Sequence, residues 1–280
     1  MIVTRFAPSP TGHLHLGHAL SALFAARAAE EAGGTFLLRI EDIDPVRCKE
    51  SFTADLIEDL RWLGLKWEEP VRRQSQHLED YQKALAQLRT RELLYPCFCT
   101  RREVEAEAAA AGHAPHLEAG PDGPVYPGTC RTLSPGERAR KKAEGREPVW
   151  RLDMGKASAA AGKLTWHDRA KGEITARPEA FGDVVLARKD VPTSYHLSVT
   201  VDDHLQGVTL VTRGEDLFRA TDIHRLLQAL LGYATPDYHH HKLLLNESGK
   251  RYAKCDQAVT LRAFRAEGKT PEEVRRMAGF

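Results

Sequence analysis

No apolar run in the 280-residue sequence approaches the roughly 20 residues that a membrane-crossing helix needs. The first residues also lack the basic-then-apolar pattern of a signal peptide. Neither charge sign predominates, since 40 Lys and Arg face 39 Asp and Glu. That balance argues against a dedicated non-specific nucleic-acid binder and leaves room for a local basic face. Neither a G-x-x-x-x-G-K-[S/T] nor a G-x-G-x-x-G phosphate loop occurs. Cysteine is scarce and odd in number, five in all. Without a secretory signal, that count points to reduced thiols or a metal site. Internal repeats and low-complexity tracts are absent. With 42% hydrophobic residues, a sizeable core is expected, in one large or two modest cytoplasmic domains.

What is present reads first as β-α-β-α-α. Residues 2–6 have the β-branched character of a strand, and apolar residues recur at helical spacing from Leu16. Residues 35–40 form a second strand ending in the acidic run Glu41-Asp42-Ile43-Asp44, and residues 51–64 and 76–94 look helical. The character changes at Tyr95-Pro96-Cys97-Phe98-Cys99. An Ala/Glu-rich helix, a Gly/Pro-rich loop and a charged helix near 134–144 follow, and a strand is expected at 148–154. The sheet pattern returns at 183–190 and 208–217, with a helix over 221–231 and a last strand over 238–246. The expected class is α/β: a Rossmann-like parallel-sheet core, with an insertion and a short helical C-terminal segment. The expected divisions are 1–94 and 183–245 for the two halves of the core, 95–182 for the insertion and 246–280 for the end.

The stretch "RFAPSPTGHLHLGHAL" (5–20) is a strand-to-helix turn. Such turns lie at the carboxyl ends of parallel strands, where ligands bind. A helix beginning there points free N–H groups outward and suits phosphate. His15 and His18 stand one turn apart and could hydrogen-bond phosphate, and Gly17 between them leaves the backbone open to close approach. Paired histidines could equally serve as a helix cap. Arg5, Glu41 and Arg213 all fall at carboxyl strand ends, which suits a substrate with carboxylates and an ammonium. Cys97, Cys99 and Cys130 flank one loop, and three thiolates need one more ligand for tetrahedral zinc. His113 and His116 are the ordinary candidates for it. The run His239-His240-His241 alternates across a strand and reads as structural.

Taken together, "RFAPSPTGHLHLGH", "LLRIEDID", "YHLSVTVDD" and "VTRGEDL" resemble, in order and spacing, the core of the glutamyl-tRNA synthetases, class I aminoacyl-tRNA synthetases. The resemblance spans nearly the whole chain. It implies that His15, Gly17 and His18 bind ATP. It also implies that Arg5, Ala7 and Ser9, with Phe6 and Pro8 among them, contact L-glutamate. Glu41 would hold the ammonium, and Tyr195 and Arg213 would complete the pocket. The family's lysine loop matches Arg251-Tyr252-Ala253-Lys254-Cys255, in which Lys254 keeps the movable charge for the leaving pyrophosphate. Mg²⁺ is expected with ATP, and Tyr126 becomes the implied fourth ligand of one structural zinc.

The sequence stops about twenty-five residues after Cys255, where a discriminating synthetase continues into an anticodon-binding domain. The chain therefore resembles the family's truncated glutamyl-queuosine paralogues, expected to be monomers. These activate glutamate without tRNA and attach it to queuosine in the tRNA(Asp) anticodon. Arg138, Arg140, Lys141 and Lys142 could meet RNA phosphates or form a solvated face. Three alternatives stand beside this reading: a conventional glutamyl-tRNA synthetase fragment, a small-molecule adenylyltransferase, or a non-catalytic RNA-binding paralogue.

Overall fold

A computed structural model describes residues 1–111, 120–244 and 260–280, with backbone alone for 107–111. β1 (Val3–Phe6), α1 (Leu16–Glu30) and β2 (Thr35–Ile40) form a βαβ unit whose strands pair in parallel, Arg5 opposite Leu37. After α2 (Glu50–Trp62), β3 (Glu68–Arg73) extends this sheet in parallel on the far side of β2. The sequence reading has no strand there, and the reason is visible. β3 is polar, half of it is exposed, and it carries Pro70, all of which belong to a sheet edge rather than its centre.

The second parallel group contains β9 (Leu210–Gly214) and β10 (Asp237–His241), paired so that Arg213 stands opposite His240. Its β9 edge meets β1, where the Thr209 N–H donates to the Val3 carbonyl and the Val3 N–H to Thr209 Oγ1, at 3.0 and 2.9 Å. On the other edge lies β6 (Thr165–Asp168), parallel to β10 and antiparallel to β7 (Gly172–Thr175). This hairpin is also new relative to the sequence reading, as is α6 (Met154–Ala161). The last strand stops at His241, short of the expected 246.

A third, antiparallel sheet joins β4 (Leu94–Cys97), β5 (Val149–Leu152) and β8 (Val185–Ala187). The helix expected over 76–94 is therefore α3 (Leu78–Thr90), ending before β4 begins. α4 (Arg101–Ala111) and α5 (Pro135–Ala143) follow the Cys segment; α5 starts on a Ser134/Glu137 capping box and buries none of its residues.

Of four apolar clusters among the described residues, the two larger hold most of these layers. One packs α1, α2 and the C-terminal helices α9 (Leu261–Ala266) and α10 (Pro271–Met277) against β1 and β2, through Leu16, Leu23, Leu38, Leu56, Leu261 and Val274. The other joins α3, α6, α7 (Tyr195–Leu205) and α8 (Ala220–Leu231) with β5 and β8, through Tyr81, Leu88, Leu152, Leu186, Leu197 and Leu226. The carboxyl ends of β1, β2 and β9 are left between the cores, open to one cavity.

Candidate active site

That cavity has a volume of about 630 Å³. Its walls include Arg5, Phe6, Ala7, Pro8, Ser9, His15, Gly17, His18, Glu41, Tyr195 and Arg213, residues singled out from sequence. Thr212, Gly214, Asp216 and Leu217, within the quoted "VTRGEDL" but given no role there, and Leu243 also line it. Gly214 is closely packed: a Cβ there would lie 2.6 Å from Asp216 Oδ1 and 2.7 Å from Leu243 Cδ2, so these side chains would have to move. Lys254, His113 and His116 lie outside the described residues.

At the mouth of α1 both histidines cap the helix. The Gly17 N–H donates to His15 Nδ1 and the His15 N–H to His18 Nδ1, each at 3.1 Å, and the rings stack 3.8 Å apart. With Nδ1 accepting, the neutral rings carry their proton on Nε2. A Cβ on Gly17 would meet the His15 ring at 3.1 Å. The glycine thus makes room for the imidazole over the helix start. Capping and lining the cavity are compatible for these rings.

The floor is ionic. Arg5 forks onto Asp203, with Nε 2.9 Å from Oδ1 and Nη2 3.4 Å from Oδ2, and Nη1 donates to the Thr212 carbonyl. Fully buried Arg39 donates from Nη2 to the same Asp203, at 2.5 Å. Burial would raise the Asp203 carboxyl, yet the two guanidiniums hold it below its ordinary value. Asp202 in turn accepts from Arg72, Gln74 and Tyr81. With these cations engaged, Glu41 is left loosely held: its Oε1 lies 3.8 Å from Arg39 Nη1, buried and without a hydrogen bond among the described residues. Burial, partly offset by Arg39 and Arg5, pushes its carboxyl up to about 7.

Arg213 is buried and differently placed. Nε donates to His240 Nε2 at 3.1 Å, Nη1 to His224 Nδ1 at 3.1 Å and Nη2 to Thr221 Oγ1 at 2.6 Å. Among the described residues no carboxylate pairs with it. His240 passes its Nδ1 proton toward Asp168 Oδ2 at 2.7 Å; burial and the neighbouring Arg213 push this imidazole down to about 4. Sequence reasoning missed Arg39, Asp203 and His224, although a charge inside the apolar strand "FLLRI" and a histidine on the apolar face of α8 were available signals.

Some 30 residues along the chain from Cys97 and Cys99, Cys130 returns to them. The three Sγ atoms lie within 4.8 Å of one another, and Cys99 Sγ is 3.5 Å from Cys130 Sγ. The Tyr126 hydroxyl stands 3.4 Å from both Cys97 and Cys99 Sγ. The group could hold a metal ion, and its soft donors and spacing fit zinc.

The model for tRNA synthetases class I (E and Q), catalytic domain, matches residues 1–279. A glutamyl-Q tRNA(Asp) synthetase of Rhodobacter capsulatus is 51% identical, the alignment covering 100% of both chains. A glutamate–tRNA ligase of Aquifex aeolicus is 39% identical over 97% of this chain but 55% of its own length. Among solved structures, a glutamate tRNA ligase of Elizabethkingia meningosepticum, in complex with its amino acid, superposes with TM-score 0.81 at 27% identity. The match covers 99% of this chain and 60% of that one, so the chain spans less than two thirds of that structure. The chain belongs to the class I tRNA synthetases of the E and Q catalytic-domain family, alongside the ligases named glutamyl-Q tRNA(Asp) synthetase.

Proposed function

We propose that the chain activates L-glutamate with ATP, without tRNA, and transfers the glutamyl group to queuosine in the anticodon of tRNA(Asp). The observation that carries the amino-acid assignment is Arg213, a buried guanidinium on the cavity wall with three neutral partners and no carboxylate among the described residues. A buried charge of this kind calls for an anion. The side-chain carboxylate of glutamate would supply it, while the Glu41 oxygen that has no hydrogen bond among the described residues would take the ammonium. Glutamine would leave Arg213 unpaired.

The α-carboxylate oxygen of glutamate would then attack the α-phosphorus of ATP in line. An O–P bond forms, the bond to pyrophosphate breaks, and no covalent enzyme intermediate is needed. His15, Gly17 and His18 would receive ATP phosphates at the α1 N-terminus, and Lys254 would follow the leaving pyrophosphate. Mg²⁺ would neutralise part of the phosphate charge. A hydroxyl of the queuosine cyclopentenediol would take the acyl group and release AMP. Residues 95–182 would face the acceptor, where Arg138, Arg140, Lys141 and Lys142 sit on the exposed α5. One structural zinc on Cys97, Cys99, Cys130 and Tyr126 would pin that segment. A cytoplasmic monomer suits this reading; no helix among the described residues is long and apolar enough to cross a membrane.

The test is ATP–pyrophosphate exchange with glutamate and no tRNA, then charging of purified tRNAs with labelled glutamate and nuclease digestion of the product. Label on queuosine of tRNA(Asp) is expected. Label on the 3′-terminal adenosine of tRNA(Glu) would instead assign the chain to conventional charging, as the similarity to glutamate–tRNA ligases allows.

A further inference from the structure

Two hydrogen-bonded arms lead away from Arg213, and neither belongs to the cavity wall. One is Arg213 Nε–H to His240 Nε2, with His240 Nδ1–H to Asp168 Oδ2. The other runs from Arg213 Nη1 to His224 Nδ1, at 3.1 Å, then from His224 Nε2 to His196 Nδ1 and from His196 Nε2 to Asp122 Oδ2, each at 3.2 Å. A guanidinium can only donate, so the ring nitrogens facing it must be lone pairs and their protons must sit on the far nitrogens. Each arm ends on a carboxylate that accepts the outermost proton and thereby fixes the tautomers between. The negative charge is held one imidazole away on the first arm and two on the second. Thr221 Oγ1 completes the cradle, and the Tyr238 ring lies 5.6 Å from the guanidinium carbon.

We propose that His224 and His240 are positioning residues for Arg213: as acceptors without charge they fix the guanidinium's orientation and leave its positive charge for the substrate carboxylate. This rests on the assignment of Arg213 to the glutamate side chain. A carboxylate in place of either imidazole would hold Arg213 equally well and cancel what the substrate is meant to meet. The contrast with Arg5 supports the division of labour, since Arg5 is fixed by a direct pair with Asp203.

The decisive comparison is H224Q against H224E, isosteric side chains that differ in charge. Exchange kinetics with glutamate, glutamine and ATP should be measured on the full chain, with thermal melting as the folding control. H224Q, whose amide oxygen accepts and whose amide nitrogen donates to His196, is expected to stay within a few-fold of the wild-type KM for glutamate. H224E is expected to raise that KM about tenfold or more, with the KM for ATP held and the preference for glutamate over glutamine narrowed. H224L, which offers no acceptor, should raise the glutamate KM without narrowing the preference as far. If H224L does not fold, the isosteric pair still decides. Equal glutamate KM and equal preference for H224Q and H224E would overturn the inference. R213Q separates the two levels: loss of glutamate affinity there leaves the amino-acid assignment standing even if the His224 variants fail, whereas an unchanged KM removes the assignment and the positioning role with it.

Discussion

Arg213 on β9 and His240 on β10 stand opposite each other in parallel register, and the guanidinium Nε donates to the imidazole Nε2 at 3.1 Å. Because the other face of His240 is bonded to Asp168, the imidazole is a neutral acceptor and does not compete for the charge of Arg213. The cavity thereby presents a buried cation with an open claim on an anion.

Replacing that cation should cost substrate discrimination before it costs the fold. R213Q is expected to lower kcat/KM for glutamate by about 2–5 kcal/mol in transition-state free energy, the range for removing one partner of a buried charge pair. Exchange with glutamine should be affected far less. Parallel kinetics with the two amino acids check this; an equal drop with both would take Arg213 out of side-chain recognition.

Glutamate binding should strengthen as pH rises through about 7, where the buried Glu41 carboxyl ionises. An ammonium binds the ionised form, so affinity climbs from pH 6 to 8 and levels above. The sign for stability is opposite. The free protein's Glu41 holds its proton above the ordinary carboxylate value, so this group's contribution falls as pH rises from about 4.5 toward 7. Titration calorimetry with glutamate across this range tests the first statement, and E41Q should flatten the curve.

D203N should destabilise the protein by about 3–5 kcal/mol, because Arg5 and Arg39 would both lose their shared buried anion. Denaturant unfolding measures it. A loss below about 1 kcal/mol would show that water or Asp202 replaces Asp203.

His15 caps α1 and, in the proposed function, also meets the ATP phosphates, and one substitution can separate the two. H15S keeps a side chain that caps α1 well, so stability should stay within about 1 kcal/mol of wild type. Adenylate formation should still fall by about 2–4 kcal/mol if the imidazole receives phosphate as proposed. Wild-type exchange by H15S would reduce the histidine to its cap.

Metal analysis of protein purified without chelator should find about one zinc per chain, and C97S or C130S should abolish it. Y126F tests the hydroxyl on its own: unchanged zinc content would assign the fourth position to another donor.

Much of this was legible in the chain. The turn "SPTGHLHLGH" announces a strand end and a helix start through Pro, Gly and the histidines, and α1 begins at Leu16 as the periodicity implies. In the structure, capping boxes at Ser134/Glu137 and Thr270/Glu273 start α5 and α10, and Gly232 ends α8 with φ at 74°, local features that the sequence reading did not use. These are local matters of backbone conformation and neighbouring hydrogen bonds, which a short window contains. The resemblance carried by the four motifs also pointed to residues that line one cavity. What no window holds is the partner of a buried charge. Arg5 and Asp203 are 198 residues apart, and Arg213 meets His240 and His224 only because β10 pairs with β9 while α8 packs beside them. Sequence by itself determined that arginines and an acid would stand at strand ends. Only the tertiary structure decided that Arg5 is neutralised by Asp203 while Arg213 is cradled by imidazoles, because burial and the identity of the neighbour, not the residue type, set how much charge a guanidinium has left to offer.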